Sequence, residues 1–196
     1  MRKSMMICVL MILLALSACG RVGKDDPQQR VLALRGVYLA AEGCTAALTV
    51  TADYGQRVYT YGAEVIVTGG ESVLTVTAPT ELAGITARVT DGDSQLEYDG
   101  AVLETGPLAP NGLTPLSAVP ALLDSARSGF VDSCGMEQLG ERECLRVLCR
   151  DPEQPAGQGQ EVALWFDPVS HALVQGEITV DGYRVILCEF ESFALN

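Results

Sequence analysis

Regular alternation of apolar and polar residues is the feature that most limits the folds open to this chain. Leu48 and Val50 alternate with Thr49 and Thr51, a pattern typical of a strand with one buried and one solvated face. Similar runs rich in Val, Thr, Tyr and Ile follow, separated by turn sequences that contain Asp and Gly. The pattern predicts an antiparallel meander of five or six strands before residue 105, and five more strands across residues 130–193.

Two segments have helical spacing instead. Asp26-Pro27 is typical of an N-cap followed by the first helical residue, and apolar residues then recur every three or four positions. A second apolar stripe follows a proline-rich stretch. We predict one helix over about residues 27–42 and another over about 116–128, with Pro120 dividing the second into two short pieces. Together with about eleven strands, these helices give an α+β chain.

The first nineteen residues resemble the export signal of a bacterial lipoprotein. Two basic residues precede twelve uninterrupted apolar residues, which are too few to span a bilayer, where a helix needs roughly 20. Leu16-Ser17-Ala18-Cys19 is similar to the lipobox, in which diacylglycerol is attached to the cysteine and the signal is cut before it. The resemblance implies a signal peptide over 1–18, a lipidated Cys19 with a polar tether to residue 25, and one domain over 26–196.

A diacylated Cys19 would hold the protein on its membrane. Each buried methylene contributes about 0.8 kcal/mol, so two acyl chains supply on the order of 20 kcal/mol, which excludes a freely diffusing shuttle. Because Arg2 and Lys3 leave with the signal, 11 basic and 25 acidic residues remain. So acidic a body excludes nucleic acid as a partner, and we expect it to stand off anionic headgroups.

Five cysteines remain in the body, at Cys44, Cys134, Cys144, Cys149 and Cys188. Cys144 and Cys149 lie in one strand at odd separation, so their side chains are expected on opposite faces of the sheet. Buried thiols are the favoured interpretation, with Cys134 to Cys149 or Cys134 to Cys144 as candidate disulfides. Since no CxxC occurs and His171 is the only histidine, we expect no metal site.

No arrangement of catalytic residues emerges from the sequence. A Ser-His-Asp triad would have to use His171, which lies in a turn-like Asp-Pro-Val-Ser-His, and no G-x-S-x-G motif is present. The acidic residues fall mostly in turns or at outward positions of strands. We therefore expect a protein that is not an enzyme and needs no cofactor.

Six short stretches, read together with the order of elements, point to a known family: Leu82-Ala83-Gly84-Ile85-Thr86-Ala87-Arg88, Leu96-Glu97-Tyr98-Asp99-Gly100, Gly112-Leu113-Thr114-Pro115-Leu116, Leu164-Trp165-Phe166-Asp167, Gly176-Glu177-Ile178 and Asp181-Gly182. Over about residues 28–193, the chain resembles the LolA/LolB-like lipoprotein-carrier superfamily. The resemblance implies an open antiparallel half-barrel with two helical segments over its concave face. In character the chain is similar to Gram-positive members, including the clostridial GerS-like germination lipoproteins.

Two functions are compatible with that fold. The first is binding of a lipid, an acyl chain or a lipoprotein inside the half-barrel. The concave side would contribute Leu48, Val50, Val65, Val67, Ile85, Val89, Leu164 and Phe166, and the helical lid would contribute Leu116, Leu122 and Leu123. The alternative is an interaction module that scaffolds or activates an envelope enzyme of germination or peptidoglycan, with the same residues packed as a solid core. An open concave volume favours the first function and a filled one favours the second.

Overall fold

The structure is a computed structural model that describes residues 26–90, 93–104 and 112–196. The predicted signal peptide, Cys19 and the tether lie outside the described residues. Residues 91–92 and residues 105–111 lie outside them as well.

Eleven strands form one open sheet in which every neighbouring pair is antiparallel. They are β1 Gly43–Asp53, β2 Val58–Thr68, β3 Glu71–Ala78, β4 Thr86–Thr90, β5 Asp93–Tyr98, β6 Ala101–Glu104, β7 Val131–Leu139, β8 Arg142–Arg150, β9 Gln160–Phe166, β10 Leu173–Val180 and β11 Tyr183–Leu195. Their order across the sheet is β6-β5-β4-β3-β2-β1-β11-β10-β9-β8-β7. Two meanders are therefore joined in the middle by the pairing of β1 with β11.

Two helices lie on one face of this sheet, α1 Pro27–Ala40 and α2 Pro115–Ser128. The Asp26 side chain accepts a hydrogen bond from the Gln28 N–H and so caps α1, as the sequence predicts. Thr114 and Ser117 form a capping box at the start of α2. The predicted division of the second helix at Pro120 is wrong, because α2 continues through this proline without a break.

The face that carries the helices is called the concave face below. α1 and α2 are joined to each other by two hydrogen bonds from arginine side chains to backbone carbonyls, Arg35 to Gly129 and Arg127 to Tyr38. α2 packs over β1, β9 and β11, and α1 packs over β7 and β8. The predicted fold class is confirmed: an α+β open half-barrel of eleven antiparallel strands with two helices on one face.

Tyr38 holds α1 on the sheet. Its side chain is fully buried, its ring meets Phe166 edge-on at 5.4 Å, and it stacks against Phe193 at 6.1 Å. The Tyr38 hydroxyl donates to the His171 carbonyl oxygen at 2.9 Å, which satisfies its polar atom inside the core. Because its hydroxyl binds the turn between β9 and β10, this one residue connects α1 to strands beyond β7 and β8, on which the helix packs.

The convex face carries a second, smaller core around Trp165. Cys144 and Ala163 are buried beside the indole, and the Arg146 guanidinium lies 5.4 Å from the ring centroid. The indole N–H donates to a Glu137 carboxylate oxygen at 3.2 Å. The convex side of β8 and β9 is thus partly buried by side chains of the sheet itself.

Candidate binding surfaces

The predicted ligand-binding residues come together around α2 on the concave face. Seven of them are no more than 2% exposed, namely Leu48, Val50, Val65, Leu122, Leu123, Leu164 and Phe166. Three others, Val67, Ile85 and Leu116, are partly buried and pack against this core. Val89 lies beside it at the wall of a groove. The structure therefore assembles these residues as one packed cluster.

Gly176 shows how closely α2 sits on the sheet. A Cβ atom at this position would lie 2.5 Å from Cδ1 of Leu122, closer than carbon atoms approach without displacement. Leu122 is fully buried and occupies the space that a side chain on β10 would need. The centre of the half-barrel is therefore filled by the helix itself, which leaves no room there for an acyl chain.

A shallow groove of about 290 Å³ remains beside α2. Val67, Val89 and Leu123 give it an apolar wall, and charged side chains contributed by Glu42, Glu71 and Arg127 surround it. Its volume lies at the lower end of the range for small-molecule sites, roughly 300–1,000 Å³. The groove can accept a small apolar group, and three predicted ligand-binding residues, Val67, Val89 and Leu123, line it.

A larger groove of about 560 Å³ lies between α1 and β7. It is lined by Asp26, Pro27, Gln28, Val31, Leu32, Arg35, Val131, Asp132, Ser133 and Cys134. The Asp132 carboxylate is paired with Arg150 at 2.6 Å, so the lining is partly apolar and partly charged. Sequence reasoning missed this groove, because its two walls lie about a hundred residues apart and no local pattern relates them.

Three tyrosines occupy one end of the concave face, beside the hairpin that joins β1 to β2. The rings of Tyr59 and Tyr61 stack at 6.3 Å, and Tyr54 lies 6.2 Å from Tyr59. The Tyr54 hydroxyl donates to the Leu113 carbonyl oxygen at 3.0 Å. Burial raises the pKa of Tyr54 above its usual value, with further contributions from the other two tyrosines. The stack ties this hairpin to the residues that lead into α2.

The two edges of the sheet differ in chemistry. β7 carries Asp132 and Glu137 and has a register irregularity near its start, features that discourage further strand pairing. All four residues of β6 are exposed, including Val102 and Leu103, which are 60% and 63% accessible. Tyr98 on the adjoining strand is also exposed. In the described residues, β6 pairs only with β5, so its other side is an apolar strand edge.

The described cysteines are all free thiols, so neither suggested disulfide is present. Cys134 pairs with Val147 and packs on the concave core, whereas Cys144 pairs with Glu137 and belongs to the convex cluster. These two thiols therefore lie on opposite faces. Cys149 shares the concave face but is opposite Val131, which offsets it from Cys134. The predicted opposite orientation of Cys144 and Cys149 is confirmed.

Burial keeps two of these thiols protonated. It raises the pKa of Cys44 to about 11, with Arg127 opposing the shift, and it raises the pKa of Cys188 to about 12. Reactive cysteines have lowered pKa values and partial exposure, which is the reverse of this environment. Cys44 and Cys188 are therefore packing residues on β1 and β11.

The remaining titratable groups do not form a metal site in the described part of the chain. No group of three or more His, Cys, Asp or Glu side chains is close enough together there to hold an ion. Hydrogen bonds from the Ser170 backbone and hydroxyl lower the pKa of the Asp167 carboxylate. Asp167 thereby stabilises the turn that contains His171, whose carbonyl accepts from Tyr38. Neither α1 nor α2 is long and apolar enough to cross a membrane.

Comparison with known proteins relates the chain to others by fold. No protein-family model matches the sequence, and no curated protein matches it either. A conserved, uncharacterized protein from Thermus thermophilus has a similar structure, with 11% identity, a TM-score of 0.50, and coverage of 86% of this chain and 87% of that chain. At this identity, the likeness shows the fold alone.

Two further solved structures align along most of their length. The LolA superfamily protein NE2245 from Nitrosomonas europaea is 12% identical, with a TM-score of 0.41 and coverage of 87% of this chain and 93% of that chain. A chain from the complex of the CwlD amidase with the GerS lipoprotein of Clostridioides difficile is 9% identical, with a TM-score of 0.43 and coverage of 90% and 100%. A likeness at these TM-scores carries no inference about activity or partners.

Proposed function

We propose that this protein is an extracytoplasmic lipoprotein, anchored through Cys19, that binds an envelope protein at the free edge of its sheet and catalyses no reaction itself. The observation that carries this proposal is the exposed apolar edge of β6. The filled centre of the half-barrel supports it, because a solid core leaves the outer surface as the place where binding occurs.

β6 has the properties of a template for an added strand. Its backbone N–H and C=O groups on one side lack a partner strand in the described residues. Val102 pairs with Glu97 and Leu103 pairs with Leu96 on β5, so these two side chains lie on opposite faces of the sheet. An extended segment of a partner would pair with the backbone and place alternate side chains against these two residues. The partner class we propose is an envelope enzyme, as the family resemblance implies.

A pull-down with matched variants tests the partner surface. The lipidated protein is purified from envelope fractions as wild type, as Leu103→Asp, and as Ile66→Asp, which changes another exposed apolar residue, on the outer face of β2. We expect a stoichiometric partner with the wild type and with Ile66→Asp, and its loss with Leu103→Asp. Equal recovery with all three proteins, or no partner with any, would contradict the proposal.

The anchor is tested by Cys19→Ala. The variant should fold normally but should either be released from the membrane or retain its uncleaved signal, and it should leave the detergent phase on phase partition. A Cys19→Ala protein that partitions like the wild type would show that the lipoprotein interpretation is wrong. This test is independent of the partner surface.

The groove beside α2 favours a second candidate function, binding of a short acyl chain or the apolar end of a lipid. Val89 forms part of its wall, so Val89→Asp should abolish binding of a fluorescent acyl probe, and Ile66→Asp should not. Mass spectrometry of the purified protein would identify a retained lipid. Delipidated wild-type protein that binds no probe would exclude this candidate.

A further inference from the structure

α1 has an outer face that a soluble protein would not normally leave in water. Its inner residues Val31, Leu34 and Tyr38 are buried against the sheet. Beyond its first turn, the outer face consists of exposed, uncharged residues: Leu32, Ala33, Gly36, Val37, Leu39 and Ala40. A helix that is apolar on both sides is normally covered on both sides. Leu32 and Leu39 are nevertheless 62% and 66% exposed.

The exposed residues form one continuous half of the helix. Successive residues of a helix are about 100° apart, and all the exposed side chains between residues 28 and 40 fall within one half of the helix circumference. Arg30 and Arg35 lie at the two borders of this half. An uncharged, largely apolar helix face can be buried at the boundary between the headgroups and acyl chains of a bilayer. At one border the Arg35 guanidinium donates to the Gly129 carbonyl oxygen, which fixes that side of the outer face against α2.

The segment that contains α1 is basic, whereas the rest of the chain is acidic. Residues 19 to 41 contain four basic and two acidic side chains, whereas residues 42 to 196 contain seven basic and twenty-three acidic ones. An anionic membrane surface would attract the α1 region and repel the rest of the body. Although the protein as a whole is acidic, this uneven distribution of charge would orient it with α1 towards an anionic membrane.

The position of α1 along the chain supplies the third argument, which rests on the proposed anchoring at Cys19. Six residues, 20–25, separate that cysteine from the capping residue Asp26, which is seven positions further along the chain. An extended chain spans at most about 3.6 Å per residue, so the start of α1 would lie within roughly 25 Å of the anchored cysteine. The anchor would therefore supply α1 to the bilayer at high effective concentration.

Other exposed apolar residues lie beside α1. Phe130 is 55% exposed. It follows Gly129, whose carbonyl accepts the hydrogen bond from Arg35. Val169 lies in the turn whose His171 carbonyl is bound by Tyr38, and it is 86% exposed. Both residues lie on segments that are hydrogen-bonded to α1.

We propose that the outer face of α1 lies in the headgroup region of the lipid bilayer, so that the anchored body rests on the membrane through this helix. In strand order, β6 is the edge most distant from β7 and β8, on which α1 packs. This orientation would direct the partner-binding edge away from the membrane. It replaces the expectation from net charge alone that the body stands clear of the headgroups.

Tryptophan quenching in vesicles tests the contact directly. Gly36 lies at the middle of the outer face, and a Cβ there meets no atom within 4 Å, so Gly36→Trp can be accommodated. The matched control is Ile66→Trp, on the outer face of β2. The lipidated full chain is inserted into phosphatidylcholine vesicles that contain phosphatidylglycerol and a small fraction of lipid with a quencher near the headgroup. The wild type corrects for Trp165.

We expect the Gly36→Trp fluorescence to shift to shorter wavelength and to lose most of its intensity with quencher lipid, whereas Ile66→Trp stays unchanged. Equal, unquenched signals in protein that floats with the vesicles would overturn the helix contact while leaving the anchor intact. Failure to float would instead overturn the anchoring, and the helix contact with it. A concentration-dependent shift without vesicles would identify a second copy as the occupant and would also overturn the proposal.

Discussion

Gly176 is the residue on which the filled concave face depends most directly. Because its missing side chain leaves the space that Leu122 occupies, Gly176→Ala should force the two elements apart or displace Leu122 from its rotamer. Overpacking of this kind costs typically about 1–3 kcal/mol. We expect a loss of that size in the free energy of unfolding, measured by urea denaturation.

The control for this prediction is Gly135→Ala on β7. A Cβ at Gly135 meets nothing within 4 Å, so the change should stay within about 0.5 kcal/mol of the wild type. Gly176→Ala should cost less free energy of unfolding when it is added to Leu122→Ala than when it is added to the wild type, because Leu122→Ala removes the clashing atoms. Equal stability of Gly176→Ala and wild type would mean that α2 is not seated on β10.

The buried thiol of Cys188 should make the protein less stable at alkaline pH. Its thiol is fully buried in β11, and burial raises its pKa from 9.0 to about 12, so the folded protein holds this proton more tightly than the unfolded chain. The stabilisation is complete below about pH 9 and is lost as the pH rises from 9 towards 12. The melting temperature should therefore fall over this range, and Cys188→Ala should show a shallower fall.

Cys134→Ala serves as the comparison for the pH experiment, because Cys134 is only partly buried. Its removal should leave the alkaline decline close to that of the wild type. A decline that is identical in the wild type and in Cys188→Ala would contradict the assignment of this effect to the buried thiol.

At the scale of elements, α2 contains a proline in its interior, at Pro120. Pro120 has no N–H to donate to the Leu116 carbonyl four residues earlier, and yet the helix continues from Pro115 to Ser128. An interior proline costs about 3 kcal/mol, offset by about 0.4–1 kcal/mol from its stiffening of the unfolded chain. Allowing for lost packing, Pro120→Ala should raise the free energy of unfolding by about 1–2 kcal/mol.

Pro115→Ala is the matched control, since Pro115 occupies the first position of the helix, where a missing N–H is harmless. That change should bring no gain. If Pro120→Ala were no more stable than the wild type in a chemical unfolding curve, the proline would be compatible with the helix at no cost.

The sequence predicted the elements well because their signals are local. Alternation around Leu48 and Val50 located a strand, and Asp26-Pro27 located the start of α1. The division at Pro120 was wrong because burial of Val119, Leu122 and Leu123 outweighs the propensity of one proline. Tertiary packing is stronger than local preference at this position.

The candidate sites were less accessible to sequence reasoning. Alternation identifies the apolar face of a strand, but it does not tell what covers that face, so the filling of the concave side by Leu122 over Gly176 required the structure. The uncharged outer face of α1 was present in the sequence but had no meaning until its inner face was known. The exposed edge at β6 depends on strand order, which no local pattern encodes.

At the scale of the molecule, the two meanders depend on one central pairing. β1 is the first strand and β11 the last, and their antiparallel pairing, in which Val50 lies opposite Cys188, joins the two halves of the sheet. These two strands, far apart in the sequence, must therefore pair before the sheet is continuous, and such long-range pairing slows folding. The same arrangement places α1, and with it the proposed membrane contact, on the half of the sheet that is made last in the chain.

Removal of residues 183–196 should abolish the fold, although all of β1 to β10 would remain in the chain. The truncation removes the buried side chains of Ile186, Cys188 and Phe190, together with Phe193, on which Tyr38 stacks. Near-ultraviolet circular dichroism should show no fixed tertiary structure. A synthetic peptide of residues 183–196 should restore it by strand addition, because both neighbouring strands offer unpaired backbone groups. A peptide with Ile186→Asp should not, and a truncated protein that melts like the wild type would show that each meander folds independently.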